Sequence, residues 1–240
     1  MKTFFENWFG AMILAWRKLV DFSLPGKLQK YVPLEGAGLC ELAAFPLLGW
    51  LAGMIVALCA LAVTWIFNRY TGAFVFALLG WLIMTLRDSG RGDGMVSGVI
   101  AAYLPGEAVP WRIVIPVFAE ILKFALLMLM FFRGCVCGLA IVLAGAFAME
   151  AVLASGMELD PPLLDDSPEA KHKLWMMLGV LGGISFIICQ ISTLLAVLVF
   201  IALWRTFALR AEKNMLNISG ISFAGSVTSW ILLISVAAII

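Results

Sequence analysis

The sequence predicts an all-α, multi-pass integral membrane bundle of about six or seven transmembrane helices, preceded by an interfacial amphipathic helix. Three observations predict it. Of the 240 residues, 63% are hydrophobic, against about 45–50% in soluble domains. Only 13% are charged, where about 25% is usual. The apolar residues run continuously, without the alternation of a membrane β-barrel. A soluble enzyme of this size has too small a core for so much apolar surface, and a disordered chain is polar and apolar-poor. Both classes are excluded.

The elements follow in order. In residues 1–40, Phe5, Trp8, Phe9, Met12, Ile13, Trp16, Leu19 and Val20 recur at helical spacing, with Arg17, Lys18 and Asp21 on other faces. That pattern predicts a helix lying in the membrane interface. Glu6 in front of a short apolar stretch, with no small-residue cleavage site after it, argues against a signal peptide. Residues 42–240 form the transmembrane part of one single domain, with apolar runs at 42–67, 72–86, 113–132, 134–154, 174–204 and 218–240. One crossing needs about 20 residues, and 174–204 is much longer. It is either one long tilted helix or two short helices joined near Gln190.

Positive charge separates the two. With the N-terminus cytoplasmic and two crossings in 174–204, every Lys and Arg except Arg69, Arg133 and Lys123 falls on the cytoplasmic side. A single crossing moves Arg205, Arg210 and Lys213 outside. The positive-inside rule therefore favours seven spans, with the loops 87–112 and 155–173 facing the cytoplasm.

Charge and cysteine usage narrow the chemistry. A net charge of +1 gives no electrostatic case for nucleic acid. His172 is the one histidine, placed in the acidic loop with Glu158, Asp160, Asp165, Asp166 and Glu169. The five cysteines, Cys40, Cys59, Cys135, Cys137 and Cys189, lie in or beside apolar runs and read as reduced packing residues. Gly49-x-x-x-Gly53 and Gly134-x-x-x-Gly138 allow close helix approach.

The stretch richest in chemistry is Arg87-Asp88-Ser89-Gly90-Arg91-Gly92-Asp93-Gly94, directly after a span. Asp88 and Asp93 are candidate ligands for Mg²⁺, which takes one or two carboxylates and completes its shell with substrate phosphates. Arg87 and Arg91 suit the same phosphates, and Gly92 and Gly94 let backbone approach a ligand closely. A polar turn whose arginines serve topology alone is the plainer alternative. Within the spans, Glu120 and Lys123 lie three apart and share a helix face. Intramembrane charges are functional candidates by default. Glu41 and Glu150 stand near span ends and read as interfacial.

Several ordered stretches together resemble the cobalamin-5′-phosphate synthase family, the adenosylcobinamide-GDP ribazoletransferases. Phe45-Pro46-Leu47-Leu48-Gly49-x-x-x-Gly53 resembles that family's first span, Asp88 to Gly94 its Asp-Gly loop, and Lys123-Phe124-Ala125-Leu126-Leu127 its lysine-bearing span. Phe22-Ser23-Leu24-Pro25 is a weaker match. The departures are specific: the family histidine is Leu86 or Arg87 here, the middle aspartate of the loop is absent, and Ser219–Ala224 lacks the C-terminal Asp. The resemblance implies an enzyme of a bacterial cytoplasmic (inner) membrane. It would join GDP-activated cobinamide to α-ribazole or its phosphate and release GMP with Mg²⁺, with reduced activity where acids are missing. It further implies Asp88, Asp93 and Lys123 as catalytic, with Asp88 and Asp93 on the metal. Arg87, Arg91, Gly92 and Gly94 would contact substrate. Partners would be the lipid bilayer and the corrinoid nucleotide and ribazole substrates, with a homo-oligomer left open. The alternative is a small multi-pass transporter or carrier component, for which Glu120, Lys123, Glu150 and Gln190 in the spans speak.

Overall fold

The structure is a computed structural model that describes residues 41–87, 91–102, 109–155, 167–211 and 218–238. Among the described residues it is entirely α-helical: α1 (Glu41–Ile66), α2 (Arg69–Leu86), α3 (Arg91–Ala102), α4 (Val109–Phe132), α5 (Gly138–Ser155), α6 (Pro168–Ala211) and α7 (Ile218–Ala238). The interfacial helix expected over 1–40 and most of the acidic loop lie outside the described residues.

Among the described residues, five segments are long and apolar enough to cross a membrane: Leu42–Ile66, Val114–Phe132, Gly138–Ser155, Pro168–Ile188 and Gly220–Ala237. Two shorter apolar segments, Arg69–Thr85 and Leu195–Phe207, accompany them. Together they account for the expected helical membrane bundle. The side chains agree: on α4, Val117, Phe118 and Ile121 are exposed while Lys123 is fully buried. Apolar groups face out and charge faces in, the arrangement a bilayer favours.

Helix α5 forms the centre, with 16 of its 18 residues buried. Around it pack α1, α6 and α7, while α2 and α4 complete the ring against α1 and α7. The approach of α1 to α5 depends on Gly49 and Gly53. A Cβ at Gly49 would come within 2.6 Å of the Leu143 carbonyl oxygen, and one at Gly53 within 2.4 Å of the Ala140 Cα. Small residues let apolar helices meet backbone to backbone. Gly138 is likewise packed, against Val236 and Met130. Gly134 serves differently: with φ of 81° it is left-handed and meets nothing within 4 Å. The Cys135 N–H reaches back to the Met130 carbonyl at 2.9 Å, closing α4 with a Schellman-type cap.

Connections at one end are tight. Asn68 caps α2 by accepting from the Thr71 N–H at 2.8 Å, and α2 folds back on α1 so closely that a Cβ at Gly72 would come within 2.9 Å of the Ala60 carbonyl oxygen. At the same end Arg69 donates to the Phe132 carbonyl and stacks on its ring, and Arg133 donates to the Ala237 carbonyl at 3.3 Å. Each arginine thereby satisfies a carbonyl that the end of a helix leaves open.

Helix α6 decides between the two readings of 174–204. Its 44 residues would stretch about 66 Å if straight. The Trp175 and Trp204 rings nevertheless lie 4.8 Å apart, where straight helix would separate them by about 43 Å. A Cβ at Gly182 would sit 3.8 Å from Val197. The segment is thus a hairpin with arms Pro168–Ile188 and Leu195–Phe207 and its reversal near Gln190, as the charge distribution favours.

Two expectations about loops need correction. Residues 91–102 and 109–112 are helical and do not belong to one long surface loop. His172 lies in the first turns of α6, exposed, because helix starts already at Pro168. Glu150, five residues before the end of α5, is 3% exposed because it packs inside the bundle against the buried Arg87.

Candidate functional site

Lys123 is the hub of the first cluster. Spacing of three on α4 puts Glu120 beside it, and Nζ lies 3.3 Å from both Glu120 carboxylate oxygens. Its shortest contact is to Asp93 Oδ2, at 2.6 Å. Asp93 stands in the first turn of α3, where the helix dipole favours a carboxylate. Two indoles complete the shell: Trp230 of α7 donates to Asp93 Oδ1 at 3.1 Å, and Trp81 of α2 donates to Glu120 Oε2 at 2.5 Å. The Trp230 ring also lies 5.4 Å from Nζ, within cation–π range. One formal cation thus faces two carboxylates.

The second cluster joins three helices. Arg87, at the end of α2, is 2% exposed. Its Nε lies 3.1 Å from Glu150 Oε1 on α5, and Nη2 donates to Ser226 Oγ on α7 at 3.2 Å. Space for the Glu150 carboxylate exists because residue 225 is glycine: a Cβ there would fall 2.0 Å from Oε1. Ser226 and Trp230 are four apart and so share a face of α7. That face stacks the two clusters about 6 Å apart along the axis.

Depth follows from register. Asp93 meets Trp230, eight residues before the end of α7, and Lys123 lies nine before the end of α4. At 1.5 Å per residue both are about 12–14 Å from that end of the bundle. Helix α3, 12 residues long, spans only about 18 Å. It is a half-length helix that begins inside the bundle and packs on α7 and α4. The Gly- and Arg-rich segment expected at the membrane surface is therefore anchored at both ends to buried partners, Glu150 and Ser226 at Arg87, Lys123 and Trp230 at Asp93.

Of the residues singled out from sequence, Asp93 and Lys123 are brought into direct contact, with Glu120 beside them. Arg87 goes instead to Glu150. Gly92 is buried and Gly94 exposed, with open space around its Cα. Arg91 opens α3, but its side chain, like all of Asp88, lies outside the described residues. Sequence reasoning missed Trp81, Trp230, Ser226, Gly225 and the pairing of Glu150. A usable signal was present in the last apolar run, where Gly225-Ser226 and Thr228-Ser229 interrupt it with small polar residues. Thr228 and Ser229 bond to carbonyls of their own helix, which leaves Ser226 as the one of these hydroxyls that reaches Arg87.

The described residues contain no group of three or more His, Cys, Asp or Glu placed to hold a metal ion. Asp93 accepts one bond on each oxygen, and a carboxylate offers about four lone-pair sites. It therefore keeps capacity for one cation contact beside the ammonium. Mg²⁺ is commonly bound through one or two carboxylates with substrate phosphates filling its shell; Asp88, the other candidate ligand, lies outside the described residues.

No family model, curated protein or solved structure matches this chain.

Proposed function

We propose that the chain is a membrane-embedded transferase of the type its motifs resemble, joining GDP-activated cobinamide to α-ribazole or its phosphate with release of GMP. The single observation that supports this reading is the 2.6 Å contact between Lys123 and Asp93, which unites two motifs 30 residues apart that the resemblance had connected separately. In the reaction, the ribazole hydroxyl oxygen bonds to the phosphorus nearest cobinamide. The bridging P–O bond breaks, GMP leaves with that oxygen, and the hydroxyl proton is released. Such transfer is catalysed mainly by positioning and charge neutralisation. Mg²⁺, held by Asp93 with Asp88 and the substrate phosphates, would supply charge neutralisation. Lys123 positions Asp93 and can offset charge on the departing phosphate. Trp230 fixes the carboxylate from the other side.

A second reading, a carrier without enzymatic activity, is favoured by one specific observation: Asp93, Lys123 and Glu120 meet deep in the bundle at the start of a half-length helix. Transporters build midplane sites on discontinuous helices of this kind. One experiment separates the two. Purified protein in detergent is supplied with Mg²⁺, GDP-cobinamide and α-ribazole phosphate, and GMP is measured. Release that is lost in Asp88→Asn and Asp93→Asn supports the transferase. No turnover, together with substrate flux into liposomes, supports the carrier.

A further inference from the structure

A cavity of about 460 Å³ lies between α1, α5, α7 and the two arms of the α6 hairpin. Cavities of this size are in the range of small-molecule sites. Among the described residues its walls are apolar apart from the indoles of Trp50 and Trp175 and the Ser185 hydroxyl, and Trp50 Nε1 donates to Ser185 Oγ at 3.0 Å. An apolar cavity stays dry, because water there would lack partners.

Three glycines of the first arm, Gly179, Gly182 and Gly183, line this space. Glycine in a helix interior is costly and is usually kept for close packing. Packing does not demand it here. A Cβ at Gly179 or Gly183 would meet nothing within 4 Å, and one at Gly182 only an ordinary contact with Val197. Gly49 and Gly53 behave oppositely, since a Cβ there would strike the backbone of α5. What the three glycines of α6 provide is the opening itself. Phe186, Leu198 and Ile201 also line the cavity and are 45%, 56% and 47% exposed on the outer surface of the hairpin. The cavity is therefore continuous with the face that meets lipid.

We infer that this cavity is a binding site for one hydrocarbon chain of a bilayer lipid, seated between the arms of α6 beside the bonded Trp50–Ser185 pair. The occupant follows from the surroundings. The described walls carry no charged group, their apolar surface does not retain water, and the medium beside the opening is acyl chain. The site is separate from the ion clusters and stands whether or not the chain is a transferase.

The test uses the full-length protein in nanodiscs containing phosphatidylcholine with a photoactivatable diazirine near the end of one acyl chain. After illumination, labelled peptides are mapped by mass spectrometry. Labelling concentrated on the cavity walls of α6 and α5, and reduced at least fivefold in the Gly179→Leu/Gly183→Leu double variant, is the expected result. Ile121→Leu, on the exposed face of α4, should leave it unchanged. A circular-dichroism melt of each variant shows whether the fold persists. If the double variant loses the fold, the single variants Gly179→Ala and Gly183→Ala are labelled instead, each with a graded reduction expected. Labelling spread evenly over the outer surface overturns the proposal. So does labelling unchanged in folded filled-in variants, or protection of the cavity only in a dimer, which would assign the space to a second copy of the chain.

Discussion

Lys123 makes contact with two carboxylates and an indole ring while wholly buried, so its removal leaves charges without a partner. Breaking a buried ion pair from one side costs about 3–5 kcal/mol, far above the roughly 0.6 kcal/mol typical of one hydrogen bond between membrane helices. Lys123→Met should therefore lower unfolding stability in detergent by several kcal/mol, and Lys123→Arg by much less. An equal loss for both would show that shape rather than charge matters there. Glycines divide by the same reasoning. Gly225→Ala drives a methyl into the Glu150 carboxylate and should displace the Arg87–Glu150 pair. Gly134→Ala should cost about 1–2 kcal/mol, because φ of 81° is left-handed. Gly98→Ala, in α3 with open space around it, should gain about 0.5–1 kcal/mol. Thermal unfolding of the three variants checks all of these. At this scale the sequence was informative about charge and less so about partners. Glu120 with Lys123 was readable from spacing on one helix. Glu150 with Arg87 was not, since that contact depends on how α2 and α5 approach and on a missing Cβ in α7.

Among the elements, α6 carries the clearest geometrical claim. The continuous apolar run 174–204 gives no local sign of a reversal beyond Gln190 to Thr193, and helical periodicity is blind to a fold-back. Positive charge at Arg205, Arg210 and Lys213 supplied the missing information, because it constrains which end of the segment returns to the cytoplasmic side. Nitroxide labels at Met176→Cys and Arg205→Cys, two exposed positions, in a background freed of native cysteines, should read a separation of roughly 20 Å or less, where a straight helix gives about 43 Å. A distance near the longer value would abolish the hairpin and the cavity with it. Helix α3 was misread as loop for a comparable reason. Glycine and arginine between spans describe a surface turn and a membrane-embedded break equally well, and only burial against α7 and α4 tells them apart.

For the molecule as a whole, composition and continuous apolar runs were enough to give the helical membrane bundle and its approximate span boundaries. The arrangement of helices around α5 was legible in part, through Gly49 and Gly53. The stacking of two ion clusters along α7 was not, because Ser226 and Trp230 look like ordinary residues of an apolar helix until their partners arrive from α2 and α3. That stacking gives the bundle a polar interior on one side of α7 and an apolar cavity on the other. The polar interior is proposed as a site of phosphoryl transfer. It is tested most directly by GMP release from GDP-cobinamide and α-ribazole phosphate, catalysed by the purified chain in detergent with Mg²⁺. Release proportional to protein concentration is expected, reduced about 100-fold or more in Asp93→Asn, the scale on which loss of one electrostatic group affects catalysis, with the helical fold retained. Release no greater than that of heat-inactivated protein, or release unaffected by Asp93→Asn, would contradict it.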